Sequence, residues 1–161
     1  MKSFTLLCGA SLLFATGCIS NQKVLLLNTV GPSISLRQPG SSQGTLVVYS
    51  AQDAHAHFNG FPYHFYFSDY EICSKEGALV ERVRNDSGTI IEGPTPIQLA
   101  PGEYLVQACA SGYGLVSVPV RVKAGYSTVV HLDGRTLDSG LRDPVRLPRG
   151  EIVGIRADKQ Q

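Results

Sequence analysis

The sequence predicts an all-β fold, and three observations lead to this prediction. The 161 residues include 17 Gly and 9 Pro but no Trp, and the valines and threonines fall in short runs. Apolar and polar residues alternate along residues 116–122, which is the pattern of a strand with one buried face. Turn motifs rich in Gly and Pro separate such runs, as all-β folds require.

The first half of the folded region predicts a strand and a hairpin. Residues 45–50 form a β-branched and aromatic run after Gly44, which indicates a strand. Residues 69–73 and 79–83 flank a turn, and Gly77 would take its left-handed position.

The second half predicts a series of further strands. Short strands at 89–92 and 97–99 flank a Gly-Pro-Thr-Pro break, and longer alternating strands follow at 104–110, 116–122 and 126–132. Pro119 lacks an N–H donor and indicates an edge position for its strand. Beyond them, residues 145–147 and 151–155 carry the signal of a second, smaller hairpin.

The central motifs resemble a known class of domain. Pro101-Gly102-x-Tyr-x-Val-x-Ala is followed by Gly112-Tyr113, by the valine-alternating strand and by Gly125. This arrangement resembles the transthyretin-like or carboxypeptidase-regulatory-like domains of bacterial envelope proteins. The resemblance implies a small antiparallel Greek-key β-sandwich of the prealbumin type over residues 45–134, and its motifs carry no catalytic residue.

The N-terminus has the features of an export signal. Lys2 precedes a mostly apolar run over residues 4–15, which is too short for a membrane-spanning helix of about 20 residues. The run ends in Ala15-Thr16-Gly17-Cys18, which resembles the lipobox of bacterial lipoproteins. The resemblance implies cleavage after Gly17, a diacylglycerol thioether on Cys18 and acylation, for example by palmitate, of the new amino group.

This N-terminus divides the chain into four predicted parts. Residues 1–17 form the signal peptide, 18–44 the lipidated Cys and a flexible tether, 45–134 the sandwich and 135–161 a C-terminal extension. The tether prediction depends on residues 32–44, which hold four Ser, two Gly and two Pro and offer little apolar surface to bury.

The same N-terminus predicts where the protein works. Two or three acyl chains would give a long-lived attachment to the membrane. Cys18 is followed by Ile19 and Ser20, without the Asp that in lipoproteins often retains the protein at the inner membrane. We therefore expect the cell envelope, and the periplasmic side of the outer membrane if the cell is Gram-negative.

Charge and cysteine content restrict the classes of partner. Without Lys2 the 14 basic residues become 13, against 13 acidic ones, so the mature chain is neutral and nucleic acid is not an expected partner. With Cys8 in the signal and Cys18 lipidated, Cys73 and Cys109 remain in an oxidising compartment. They form either a disulfide or two separate thiols on neighbouring strands.

A His-x-His motif is the sharpest candidate for chemistry. On a strand His55 and His57 would share one face, and His64, Asp53 or Asp69 could complete a zinc or copper site. The reading that the pattern favours is a set of histidines that form hydrogen bonds in an aromatic-rich loop. No cofactor other than the covalent lipid is therefore predicted.

Residues 58–70 hold seven of the 13 aromatic residues. Phe61, Tyr63 and Tyr66 could form an exposed platform for a glycan or a protein. The alternative, which a small sandwich favours, is that most of these rings belong to the core.

Enzyme motifs do not occur in the sequence. GxSxG, HExxH and the P-loop are all missing, and no spacing joins a cysteine to a histidine as a nucleophile pair. The sequence thus predicts a non-catalytic, lipid-anchored binding or structural module, with an envelope protein or a glycan as partner.

Overall fold

The computed structural model describes residues 24–37, 40–53, 66–85, 93–135 and 143–157. All the regular structure in these ranges is β, so the predicted fold class is confirmed. Among these residues, no helix is long and apolar enough to cross a membrane. The predicted strand at 89–92 lies outside the described residues.

The strands form two main sheets and two short ladders. The first sheet has the order β1 (Leu25–Leu26), β10 (Gly114–Val122), β9 (Gly102–Ala110), β6 (Tyr70–Ser74) and β7 (Leu79–Val83). The second has the order β2 (Pro32–Arg37), β11 (Tyr126–His131), β3 (Gly44–Tyr49) and β8 (Ile97–Leu99). The ladders join β4 (Gln52–Asp53) to β5 (Tyr66–Phe67) and β12 (Pro144–Arg146) to β13 (Ile152–Ile155).

Most neighbouring strands run antiparallel, as predicted, but two pairs do not. β1 is parallel to β10 and β3 is parallel to β11. Parallel neighbours need a long connection between them, and both pairs are far apart in the chain.

The alternating valines form the core between the two sheets. Val116, Val118, Val120 and Val122 are buried, and they belong to one apolar cluster with residues of the second sheet such as Leu46, Val48 and Val130. The polar residues between the valines lie on the outer face. This packing of two sheets through one core makes the fold a β-sandwich.

The structure differs from the predicted flexible tether at residues 25–37. β1 adds a strand to the first sheet, beside β10, and β2 adds a strand to the second sheet, beside β11, so the segment belongs to both sheets. Val30, between them, is fully buried; its N–H donates to the Pro119 carbonyl (2.8 Å) and its carbonyl accepts from the Arg121 N–H (2.9 Å). The Ser, Gly and Pro content misled the prediction because backbone hydrogen bonds and a few apolar side chains are enough to order this segment.

The C-terminal segment forms the hairpin that its sequence pattern indicates, and it packs on the sandwich. Val145, Leu147 and Val153 belong to the common core. The Gly31 N–H donates to the Ile155 carbonyl at 2.7 Å, so β13 lies beside the segment between β1 and β2.

Candidate functional site

One end of the sandwich brings together stacked aromatic rings and buried polar side chains. The turn at residues 111–113 between β9 and β10 marks it, and we call it the turn end. The Ser111 N–H donates to the Leu132 carbonyl and the Ala51 N–H to the Cys109 carbonyl, both at 2.8 Å. These bonds place the ends of β3 and β11 beside the turn.

Three rings pack at the turn end. Tyr49 and His131 are opposite each other in the parallel ladder of β3 and β11, and their rings stack at 4.5 Å with an angle of 9°. Phe67 meets Tyr49 edge to face at 5.5 Å. Burial in this stack lowers the pKa of His131; the Asp133 charge opposes the shift and the Arg135 charge adds to it. The imidazole is therefore neutral near pH 7.

Asp133 places a carboxylate in the same site. Its side chain is fully buried, and Oδ2 lies 3.1 Å from Nε of the exposed Arg135. Oδ1 lies 3.9 Å from His131 Nδ1, which is too far for a hydrogen bond. Among the described residues, neither carboxylate oxygen nor His131 Nδ1 has a hydrogen-bond partner. The ion pair with Arg135 is thus the contact that compensates the buried charge.

This pair of side chains does not by itself make a metal site. A structural or catalytic zinc site takes at least three protein ligands. Over the described ranges there is no group of three or more His, Cys, Asp or Glu side chains that could hold a metal ion.

A buried amide orders the same end of the fold. Asn85 Nδ2 donates to the Val48 carbonyl (2.8 Å) and to Ser50 Oγ (2.9 Å), and its Oδ1 accepts from the Thr95 N–H (3.0 Å). Ser50 Oγ in turn donates to the Ser68 carbonyl at 2.6 Å. These bonds join the end of β3 to the segments around β6 and β7, so we assign Asn85 a structural role.

Most of the predicted site residues lie outside the described part of the chain. They are the lipid-attachment residue Cys18, the histidines His55, His57 and His64, and the platform residues Phe61 and Tyr63. The third platform residue, Tyr66, pairs with Asp53 through the β4–β5 ladder. The metal site and the aromatic platform stay predictions. Asp69 is exposed, and its Oδ1 accepts from the Asn85 N–H at 3.1 Å.

Cys73 and Cys109, the cysteines in the described part of the chain, are free thiols, so the alternative of a disulfide between them is wrong. Cys73 is buried on β6 and Cys109 is exposed on the neighbouring strand β9. Cys73 is opposite Leu105, four residues from Cys109, and four residues of strand span about 13 Å. A disulfide needs Cα atoms about 4.4–6.8 Å apart. The two cysteines do lie on neighbouring strands, as a disulfide would require, but the register of these strands places them too far apart to form it.

Sequence reasoning missed the cluster of His131, Asp133 and Tyr49. A signal was present, because residues 131 and 133 end an alternating strand and lie two positions apart, which places them on one face. The contact with Tyr49 had no local signal, since it depends on the parallel pairing of two distant strands.

A comparison of the chain with known protein families, curated proteins and solved structures finds no match. The strands and their packing define the protein as an all-β sandwich. Its relation to bacterial lipoproteins and to transthyretin-like domains stays a prediction from the sequence.

Proposed function

We propose that this protein is a lipid-anchored, non-catalytic binding or structural module of the cell envelope. The observation that carries the proposal is the apolar run over residues 4–15 followed by Ala15-Thr16-Gly17-Cys18. Strand β1 begins seven residues after Cys18, which agrees with a folded domain that follows directly on an anchor. The Greek-key order and the relation to transthyretin-like domains belong to the same proposal.

The outer face of the first sheet supports a binding role. An open groove of about 310 Å³ lies between β7 and β10, within the size range of ligand sites. Its lining combines apolar and charged side chains, among them Leu115, Cys109, Gln107, Glu71 and Arg82. Among the described strands, β7 lies at the edge of this sheet; it exposes Leu79 and Val80 and can accept an added strand from a protein partner.

The anchor is tested by a cysteine substitution with a matched control. We expect Cys18→Ala to move the protein from the detergent phase to the aqueous phase in a detergent partition assay, because the thioether is lost. Cys8→Ala, which alters a cysteine within the predicted signal peptide, leaves the partition unchanged. Mass spectrometry of the N-terminal peptide should find the acyl chains on Cys18 in the parent protein. Retention of Cys18→Ala in the detergent phase, or a Cys18 without lipid, contradicts the proposal.

A further inference from the structure

Three exposed apolar side chains lie together on the outer face of the first sheet. They are Val24, Leu26 and Leu115, which are 44%, 68% and 39% exposed, and we call them the β1 patch. In the parallel register Leu26 is beside Ser117, so Val24 comes beside Leu115. Leu25 and Val116, on the opposite face, pack into the core.

The β1 patch is at the turn end of the sandwich. Leu115 follows the turn directly, and β1 runs parallel to β10, so residue 24 is the end of β1 nearest to the turn. The chain that precedes Val24 therefore joins the sandwich at the turn end. Nothing that belongs to the described core covers these three side chains.

Ion-paired side chains on the outer face of the first sheet lie away from the β1 patch. At the far end Glu103 pairs with Lys75 (2.8 Å) and with Arg121 (2.9 Å). The Glu71–Arg82 pair on β6 and β7 is internally neutralised at 2.6 Å. Charged and apolar side chains thus both occur along this face, so the β1 patch is defined by its position on β1 beside the turn.

The number of residues after Cys18 brings the turn end close to the predicted anchor. Six residue steps separate Cys18 from Val24, and a fully extended chain of that length spans about 20 Å. The nine residues of β10 alone span about 30 Å. A protein anchored through Cys18 can therefore bring the turn end to the membrane surface, while its far end is directed away.

We infer that the β1 patch rests on the lipid bilayer to which Cys18 attaches the protein. This inference rests on the proposed lipid anchor. The covalent link keeps the patch at a high local concentration of lipid, so a contact of three apolar side chains is sufficient where it would be too weak in solution. The bilayer is the expected occupant, and not a protein partner or a second copy, because the short link from the anchored Cys18 ends at the patch itself.

The absence of Trp from the sequence gives a site-specific test. Leu26→Trp introduces the only indole into the patch, and Leu79→Trp on β7 is a control of similar exposure, since Leu79 is 56% exposed. Both full-length lipidated variants are reconstituted into phosphatidylcholine and phosphatidylglycerol vesicles with and without brominated acyl chains. We expect the Leu26→Trp fluorescence to shift to shorter wavelength and to fall at least twofold with brominated lipid, while that of Leu79→Trp stays unchanged.

The outcomes separate this inference from the proposed function. Mass spectrometry first establishes whether Cys18 carries lipid, and its absence overturns both. A lipidated Leu26→Trp protein without quenching overturns the membrane contact alone, as does equal quenching of both variants. A blue shift without quenching indicates a protein contact instead. Leu115→Trp repeats the test at a second patch position, and circular dichroism confirms that each variant is folded.

Discussion

At the scale of single residues, His131 links burial to a pH dependence of stability. Burial in the stack with Tyr49 lowers the pKa of His131 in the folded protein, against about 6.5 for an unfolded chain. Between these two pKa values the unfolded state binds more protons than the folded state. The free energy of unfolding therefore rises with pH in that window and reaches its full value above about pH 6.5. As the pH falls through the window, this part of the stability is lost.

The measurement is urea unfolding at intervals from pH 7.5 to pH 5. We expect the midpoint to fall on acidification in the parent protein and to fall less in His131→Phe, which keeps a stacking ring but cannot titrate. The acidic groups with lowered pKa act at a lower pH: hydrogen bonds from Lys75 and Arg121 lower the pKa of Glu103, and one from Tyr113 lowers that of Glu151. An identical midpoint shift in both proteins would show that His131 does not cause it.

At the scale of elements, the sequence predicted strands well where they alternate and poorly where they do not. The run 116–122 gave β10 almost in full, because one buried valine at every second position reports on one strand alone. β1 is apolar throughout and gave no such pattern, whereas β2 alternates over residues 33–37 but was assigned to the tether because of its Ser and Pro content. Both strands are ordered by hydrogen bonds to distant strands. The same limit applied to Pro119, whose strand β10 has neighbours on both sides. The Pro119 carbonyl accepts from the Val30 N–H, so the Pro119 nitrogen points toward the Val30 side of the strand and away from β9. The missing N–H of Pro119 therefore costs no hydrogen bond between β10 and β9.

The pairing of strands that are distant in the chain also explains why the sequence predicted the functional residues less well than the strands. The register of β6 on β9 decided that Cys73 and Cys109 cannot bridge, and the pairing of β3 with β11 created the stack of Tyr49 on His131. Both depend on contacts between strands that are far apart in the chain, which local periodicity does not contain. The predicted His-x-His site and aromatic platform lie on residues that the structure does not describe.

The docking of strand β13 depends on a glycine. A Cβ at Gly154 would lie 2.7 Å from Val30 Cγ1 and 2.8 Å from the Val129 carbonyl oxygen, so the strand would have to move away. We expect Gly154→Ala to lower the free energy of unfolding by about 1–3 kcal/mol, the usual cost of overpacking. It should also speed hydrogen exchange of the Gly31 and Ala157 amides, which donate to Ile155 and Thr29 across this contact.

Gly93→Ala is the matched control for this substitution. A Cβ at Gly93 meets no atom within 4 Å, and this residue does not have a positive φ. The control should change the free energy of unfolding by less than about 1 kcal/mol. Equal stability of the two variants, measured by urea unfolding, would mean that β13 does not pack closely on Val30.

At the scale of the whole molecule, the segment 24–37 joins the two sheets. β1 is an edge of the first sheet and β2 an edge of the second, and Val30 between them is bonded to β10. The C-terminal hairpin packs against this segment, since the Gly31 N–H donates to Ile155 and the Ala157 N–H donates to the Thr29 carbonyl. Both ends of the described chain therefore close the same side of the sandwich.

A pair of truncations tests whether this segment is a tether or part of the fold. A soluble chain that starts at Val24 keeps the segment, and one that starts at Gly44 loses it. The shorter chain loses the fully buried Val30, the partly buried Leu25 and Leu27, and several backbone hydrogen bonds. Each fully buried aliphatic side chain contributes about 1.5–3 kcal/mol, and a domain of this size has a total stability of about 5–15 kcal/mol. We therefore expect the chain from Val24 to unfold cooperatively in urea and the chain from Gly44 to lack a cooperative transition by circular dichroism. Equal unfolding midpoints would support the interpretation of this segment as a flexible tether. They would also contradict the short link between Cys18 and the folded domain, on which the membrane contact of the β1 patch depends.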